Sequence, residues 1–133
     1  MDINKKRYIS LRDLEIYKLA KELSTIAWKI YENLPWQNKK TIGNQFIDAI
    51  DSVGANIAEG YNRYHYLDKI KFYYNARGSL AEGCDHWLEL LYNRQMTNSE
   101  EYDKMKKIQK ELTIKLNNFI AITYKYKFKN QKQ

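Results

Sequence analysis

"SVGANIAEGYNR", residues 52–63, is the stretch on which the fold turns. It sets Ser52, Asn56 and Glu59 among small and apolar residues and runs into a glycine. A phosphate loop of the Walker type needs glycines at fixed spacing followed by Lys and Ser or Thr. Gly60 is followed instead by Tyr61 and Asn62. At helical spacing the polar residues fall into a line: Ser52, Asn56, Glu59 and Arg63 stand at i, i+4, i+7 and i+11. Beside them runs an apolar stripe of Ile42, Phe46, Ile50, Val53 and Ile57, broadened by Ile47, Gly54 and Ala58. The stretch therefore reads as the polar flank of an amphipathic helix, with Gly60 where a left-handed residue commonly closes one.

Three further segments repeat the pattern. Leu14, Leu19, Leu23, Ile26, Ala27 and Ile30 form a stripe upstream, with Asp13 at its start. Pro35 stops that helix, because proline disfavours helical geometry in the residue before it. Downstream lie Ile70, Tyr73, Tyr74, Leu80, Ala81, Cys84, Trp87, Leu88 and Leu91. "TNSEEY" then opens a fourth helix, Asn98 capping and Glu101 completing a capping-box-like arrangement. Its stripe is Tyr102, Met105, Ile108, Leu112, Leu116, Phe119 and Ile120. Short connections make neighbours antiparallel, so the predicted class is all-α, an up-down-up-down antiparallel four-helix bundle. Residues 1–123 form the single domain. Residues 124–133 form a basic aromatic tail, and the alternating "ITYKYKFK" at 122–129 that runs into it reads as a frayed helix end or a mobile tail.

A second polar set, Ser79, Glu82 and His86, lies at similar spacing on the third helix. Two readings are open. Both polar lines face solvent, or Asn56 and Glu59 meet Ser79, Glu82 or Arg77 in a semi-buried network between helices two and three. Burying a carboxylate is costly unless it is paired and hydrogen-bonded, so such a network would fix helix register. Gly54, Gly78 and Gly83 favour close approach, each costing about 1 kcal/mol relative to Ala within a helix.

"SVGANIAEGYNR" followed by "ARGSLAEG" resembles the signature pair of the four helix bundle protein family. That family includes proteins encoded by intervening sequences in bacterial 23S ribosomal RNA genes, with relatives among the accessory variability determinants of diversity-generating retroelements. The opening "LRDLEIYKLAKELSTIAWKIYENLP" is similar to the family's first helix, and the resemblance spans about residues 11 to 122. Asn62 stands where a second glycine is common, His65 near a frequent capping Ser, and Arg77 in an often apolar slot. The resemblance implies a four-helix protomer assembled as a homopentamer. It implies RNA or DNA, or a protein such as a reverse transcriptase, as partners. Asn56, Glu59, Gly60, Gly78, Ser79 and Glu82 match its motif, in a structural and not a catalytic role.

The formal net charge is +7, and residues 98–133 carry nine lysines against four acids. A basic excess favours phosphate-bearing or acidic partners. AT-rich coding sequence would also enrich Lys, Asn, Ile and Tyr. The fourth helix presents Lys104, Lys107, Lys110 and Lys115 away from its apolar stripe, and the tail adds Lys125, Lys127, Lys129 and Lys132 among Tyr124, Tyr126 and Phe128. Lysine rows match phosphate without reading sequence, and interleaved aromatics stack on unpaired bases. "NRYHYLDKIKFYY" is a second aromatic-basic stretch.

Catalytic and metal chemistry find little support. Di-iron bundles use Glu-x-x-His, but the slots three before His65 and His86 hold Asn62 and Gly83. Cys84 and His86 lie about 200° apart on a helix and cannot pair as nucleophile and base. Ser52 and Ser79 lack a nearby histidine. No enzyme, cofactor or metal is expected. Nor is a membrane span, since no 18-residue apolar run occurs. The charged N-terminus lacks a following apolar stretch, and Cys84 is alone, so a cytoplasmic setting is expected. The best functional reading is a non-enzymatic, homo-oligomeric nucleic-acid-binding accessory protein. The alternative is an oligomeric scaffold that binds a protein partner without nucleic acid.

Overall fold

The computed structural model describes residues 9–131, with side chains to residue 126. After one 3-10 turn, Leu11–Asp13, comes α1 (Glu15–Glu32). Helix α2 spans 36–61 and is built from Trp36–Asn38, a wide π turn at Lys39–Gly43, and Asn44–Tyr61. Helix α3 spans 66–93, with Tyr66–Ala81, a second π turn at Glu82–Trp87, and Leu88–Asn93. Helix α4 is Ser99–Gln131, so the backbone of 124–131, expected to fray, continues the helix. No strand occurs among the described residues. Helix α1 packs on α2 and α4, and α3 packs on the same two. With short links, this is the up-down-up-down order.

Local chemistry sets the ends. Pro35 has no N–H to continue α1. Its carbonyl accepts from the backbone N–H of Asn38 (2.9 Å) and of Lys39 (3.0 Å), which starts α2. Asn98 caps α4 as expected, its Oδ1 accepting from the Glu101 N–H at 2.8 Å. The reciprocal bond of a capping box is replaced: Glu101 accepts from the Thr97 hydroxyl at 2.9 Å. Asp13 does not cap α1. It accepts from Ser10 at 2.7 Å within the preceding turn. His65 is the N-cap of α3, without a side-chain cap bond.

The stripes meet in one core. Leu23, Ala27 and Ile30 of α1, Phe46, Ile50, Val53 and Ile57 of α2, Tyr73, Leu80, Cys84, Leu88 and Leu91 of α3, and Met105, Leu112 and Leu116 of α4 are all essentially inaccessible. Burying each large aliphatic contributes roughly 1.5–3 kcal/mol. On α3 the expected stripe needs correction. Tyr74 and Ala81 are exposed, and Ala76 and Gly83 are buried in their place. Ala76 lies three residues after Tyr73 and four before Leu80, and Gly83 three after Leu80, so these four share one face at ordinary helical spacing, which Tyr74 and Ala81 each miss by one position.

Gly60 does not close α2 in a left-handed conformation. The helix runs through Tyr61, Asn62 follows in right-handed geometry (φ −89°), and no glycine has positive φ among the described residues. Lys69 does the capping from α3, its ammonium 2.8 Å from the Tyr61 carbonyl. The reason for Gly60 is steric. A Cβ there would lie 2.7 Å from Tyr73 Cε1 and 3.0 Å from Phe72 Cβ. Gly83 is the converse on α3, where a Cβ would meet Ile50 Cδ1 at 2.4 Å. The α2–α3 seam is therefore reciprocal: each helix offers a glycine notch to a bulky residue of the other. Gly54 instead faces α1, with Ala20 Cβ at 3.6 Å, and Gly78 has nothing within 4 Å. Of the three glycines expected to draw α2 and α3 together, only Gly83 does so.

These contacts give opposite signs for one chemical change. Gly60→Ala drives a methyl into a ring buried to 1% exposure and should cost about 1–3 kcal/mol. Gly78→Ala meets no neighbour and should gain about 0.5–1 kcal/mol. Urea unfolding of both variants checks this; equal stabilities would refute the notch.

Candidate nucleic-acid interface

The expected phosphate row divides in two once side chains are placed. Lys104 pairs with Glu100 at 3.3 Å, one turn earlier. Lys115 pairs with Glu15 of α1 and, at 3.3 Å, with Glu111. Its ammonium is held above the ordinary lysine range, first by the bond to Glu15. Lys107, Lys110 and Lys125 are exposed and have no acidic partner among the described residues. Lys107 and Lys125 are eighteen residues apart, five full turns, which puts them on one face about 27 Å apart. The Lys127 and Lys129 side chains lie outside the described residues.

The same face carries apolar groups. Ile114 and Ile122 are 54% and 48% exposed. Ile122 flanks a groove shared with Leu14, Ile16, Lys115 and Phe119 at the α1–α4 junction. The outer surface of α4 thus runs from lysine through isoleucine back to lysine.

Lys106, absent from the expected row, is the most engaged of the described lysines of the helix. It stands between Lys104 and Lys107 in sequence but turns inward to the π turn of α3. Its ammonium donates to the Cys84 carbonyl at 2.8 Å and pairs with Glu89 at 2.8 Å and Asp85 at 3.2 Å. Gln109 donates to Asp85 at 2.8 Å, and the Tyr102 hydroxyl to Glu89 at 2.5 Å. Tyr102 in turn stacks on Tyr92, centroids 4.2 Å apart. Hydrogen bonds from Gln109 and then Lys106 hold Asp85 below the usual carboxylate range; those from Lys106 and then Tyr102 do the same for Glu89. Burial alone would lower Lys106, but Glu89 and Asp85 hold it above its ordinary value. The available signal was helical phase: Lys106 is one turn from both Tyr102 and Gln109 and borders the apolar stripe.

The polar motif forms no cross-helix network. Asn56 donates to the Ser52 carbonyl at 2.8 Å, and Ser52 to the Asp48 carbonyl at 2.7 Å. Glu59 pairs with Arg63 at 2.5 Å, both about half exposed. Glu82 accepts from the Trp87 indole at 2.9 Å. Arg77 reaches α4, donating to Asn117 at 2.9 Å. Ser79 is half-buried. Asn56, Glu59 and Glu82 are satisfied on their own helices and Arg77 by α4, so no pair of them links α2 to α3. His86 packs edge-on against Trp87, with centroids 4.5 Å apart. Burial pushes the Cys84 thiol up to about 12, where it is not a thiolate nucleophile at neutral pH.

Lys106→Met should lower stability at neutral pH by about 1–2 kcal/mol, discounted for partial solvent screening. The two carboxylates are depressed in the folded state, so their contribution is complete above their ordinary values of 3.8 and 4.5 and is lost as pH falls through the folded values. The gap between wild type and variant should narrow on acidification below about pH 4. It should also narrow as pH rises through the raised Lys106 value, above 10.5. Chemical unfolding across pH measures it; a pH-independent gap would contradict the network.

Among curated proteins no match is found. A crystal structure of a protein of unknown function from the S23 ribosomal protein family of Bacteroides thetaiotaomicron superposes with a TM-score of 0.72 at 23% identity. The alignment covers 80% of this chain and 95% of that one, a likeness of fold. The sequence profile of the 23S rRNA-intervening sequence proteins matches residues 12–118, and the chain belongs to that family.

Proposed function

We propose that this chain is a non-enzymatic, homo-oligomeric nucleic-acid-binding accessory protein that grips phosphate backbone through α4. The observation that carries this is the set of exposed lysines without acidic partners among the described residues, Lys107, Lys110 and Lys125, on a helix whose other described lysines, Lys104, Lys106 and Lys115, are already paired. Cations left free at the surface attract phosphate without reading sequence. Lys104 and Lys115 contribute less, because each must first give up a carboxylate. Lys127 and Lys129 add charge along the end of α4.

The proposed assembly is a homopentamer, as the family resemblance implies, which multiplies modest patches through multivalency. Ile114 and Ile122 supply apolar surface for contact between copies. They also favour the second reading, an oligomeric scaffold for a protein partner such as a reverse transcriptase. No helix among the described residues is long and apolar enough to cross a membrane, and the cytoplasm is the proposed setting.

Fluorescence anisotropy with a labelled duplex across a salt series tests the reading. Affinity should fall steeply with salt. Replacing Lys107, Lys110 and Lys125 by alanine should flatten the slope of log K against log salt by about 0.9 for each phosphate no longer neutralised. Replacing Lys104 alone should change it less. Absence of binding at low salt would reject the reading in favour of the scaffold.

A further inference from the structure

Two of the three tryptophans stand in solvent at the end of the bundle where α1 passes into α2. Trp36 is 69% exposed and Trp28 49%. Trp28 stacks on Tyr31 (centroids 5.2 Å, planes 24° apart). Lys39 lies over the Tyr31 ring at 5.5 Å, and Lys40 over the Trp36 ring at 4.6 Å. Neither of these lysines, nor Lys29 beside Trp28, has an acidic partner among the described residues. Large flat apolar rings interleaved with free ammonium groups are what successive bases and phosphates require of a single-strand surface.

We infer that Trp28 and Trp36, with Lys39 and Lys40, form a stacking platform for unpaired nucleobases, a second contact region separate from α4. It rests on the nucleic-acid-binding reading above and adds a preference for single strands. Bases in a duplex keep their faces covered, whereas unpaired bases lay theirs on indole rings. The hollow beside Trp28, about 390 Å³, is also lined by Lys29, Glu32 and Asp51. Carboxylates repel phosphate but accept from exocyclic amino groups, so this hollow takes a base edge while Lys39 and Lys40 hold the backbone. Lys40 covers one part of the Trp36 ring, and its exposure leaves the rest open to a base.

The test uses the full chain and a labelled oligodeoxyadenylate, alone or annealed to its complement. The single strand should quench tryptophan fluorescence. Trp28→Ala with Trp36→Ala should weaken single-strand binding about tenfold or more and leave duplex binding unchanged. Lys39→Glu with Lys40→Glu should weaken the single strand in a chain that keeps both tryptophans. Unchanged single-strand affinity in the tryptophan variant would overturn the platform while leaving phosphate binding by α4 intact. Absence of binding to either probe by wild type would overturn both. Loss of self-association in the tryptophan variant, seen by sedimentation, would assign this face to a second copy and overturn the platform as well.

Discussion

The fold depends on a steric exchange between α2 and α3. Gly60 of α2 receives the ring of Tyr73, and Gly83 of α3 receives the side chain of Ile50. The two notches are ten residues apart along α2, about 15 Å. A pair of contacts at that separation fixes both the distance between the helices and their register, since a slip of one turn would drive each bulky group into a side chain. Close-packed interiors do not absorb such overlaps. Tyr73 also packs edge-on against Phe119 of α4, with centroids 5.1 Å apart. The seam thereby positions the helix that carries the free lysines.

Polar groups play a different part from the one their line-up suggests. Asn56, Ser52, Glu59 and Glu82 each bond to a group on their own helix or its immediate end. Cross-helix polar links lie elsewhere. Ser24 donates to Asp51 at 2.7 Å and Tyr31 to Asn44 at 2.9 Å between α1 and α2, and the Lys106 cluster ties α4 to α3. At α2–α3 the glycine notches set register by shape, with Lys69 of α3 adding one polar link to the Tyr61 carbonyl at the end of α2, and the neighbouring seams carry the side-chain pairs.

The helices, their order and most core positions were legible because apolar residues at a period near 3.6 can bury only one face. The glycines were not. Gly60 resembles a helix terminator in sequence, and only the neighbouring helix reveals that its missing side chain makes room for Tyr73. Gly78 and Gly83 look equivalent in "ARGSLAEG", yet one faces open space and the other Ile50. The lysines were half legible. Composition pointed to α4, but whether each lysine is free or paired depends on acids distant in sequence, as with Lys115 and Glu15. Trp28 and Trp36 lie outside the apolar stripes read from the sequence, and only the structure shows how far each ring stands in solvent and which lysines lie beside it.

The reciprocal seam is tested most directly by nuclear Overhauser contacts in solution. Cross-peaks are expected from the Tyr73 ring to Gly60 Hα and from the Ile50 δ-methyl to Gly83 Hα, both in the same folded species. A well-dispersed spectrum in which the Tyr73 ring and the Ile50 methyl touch neither glycine would contradict it.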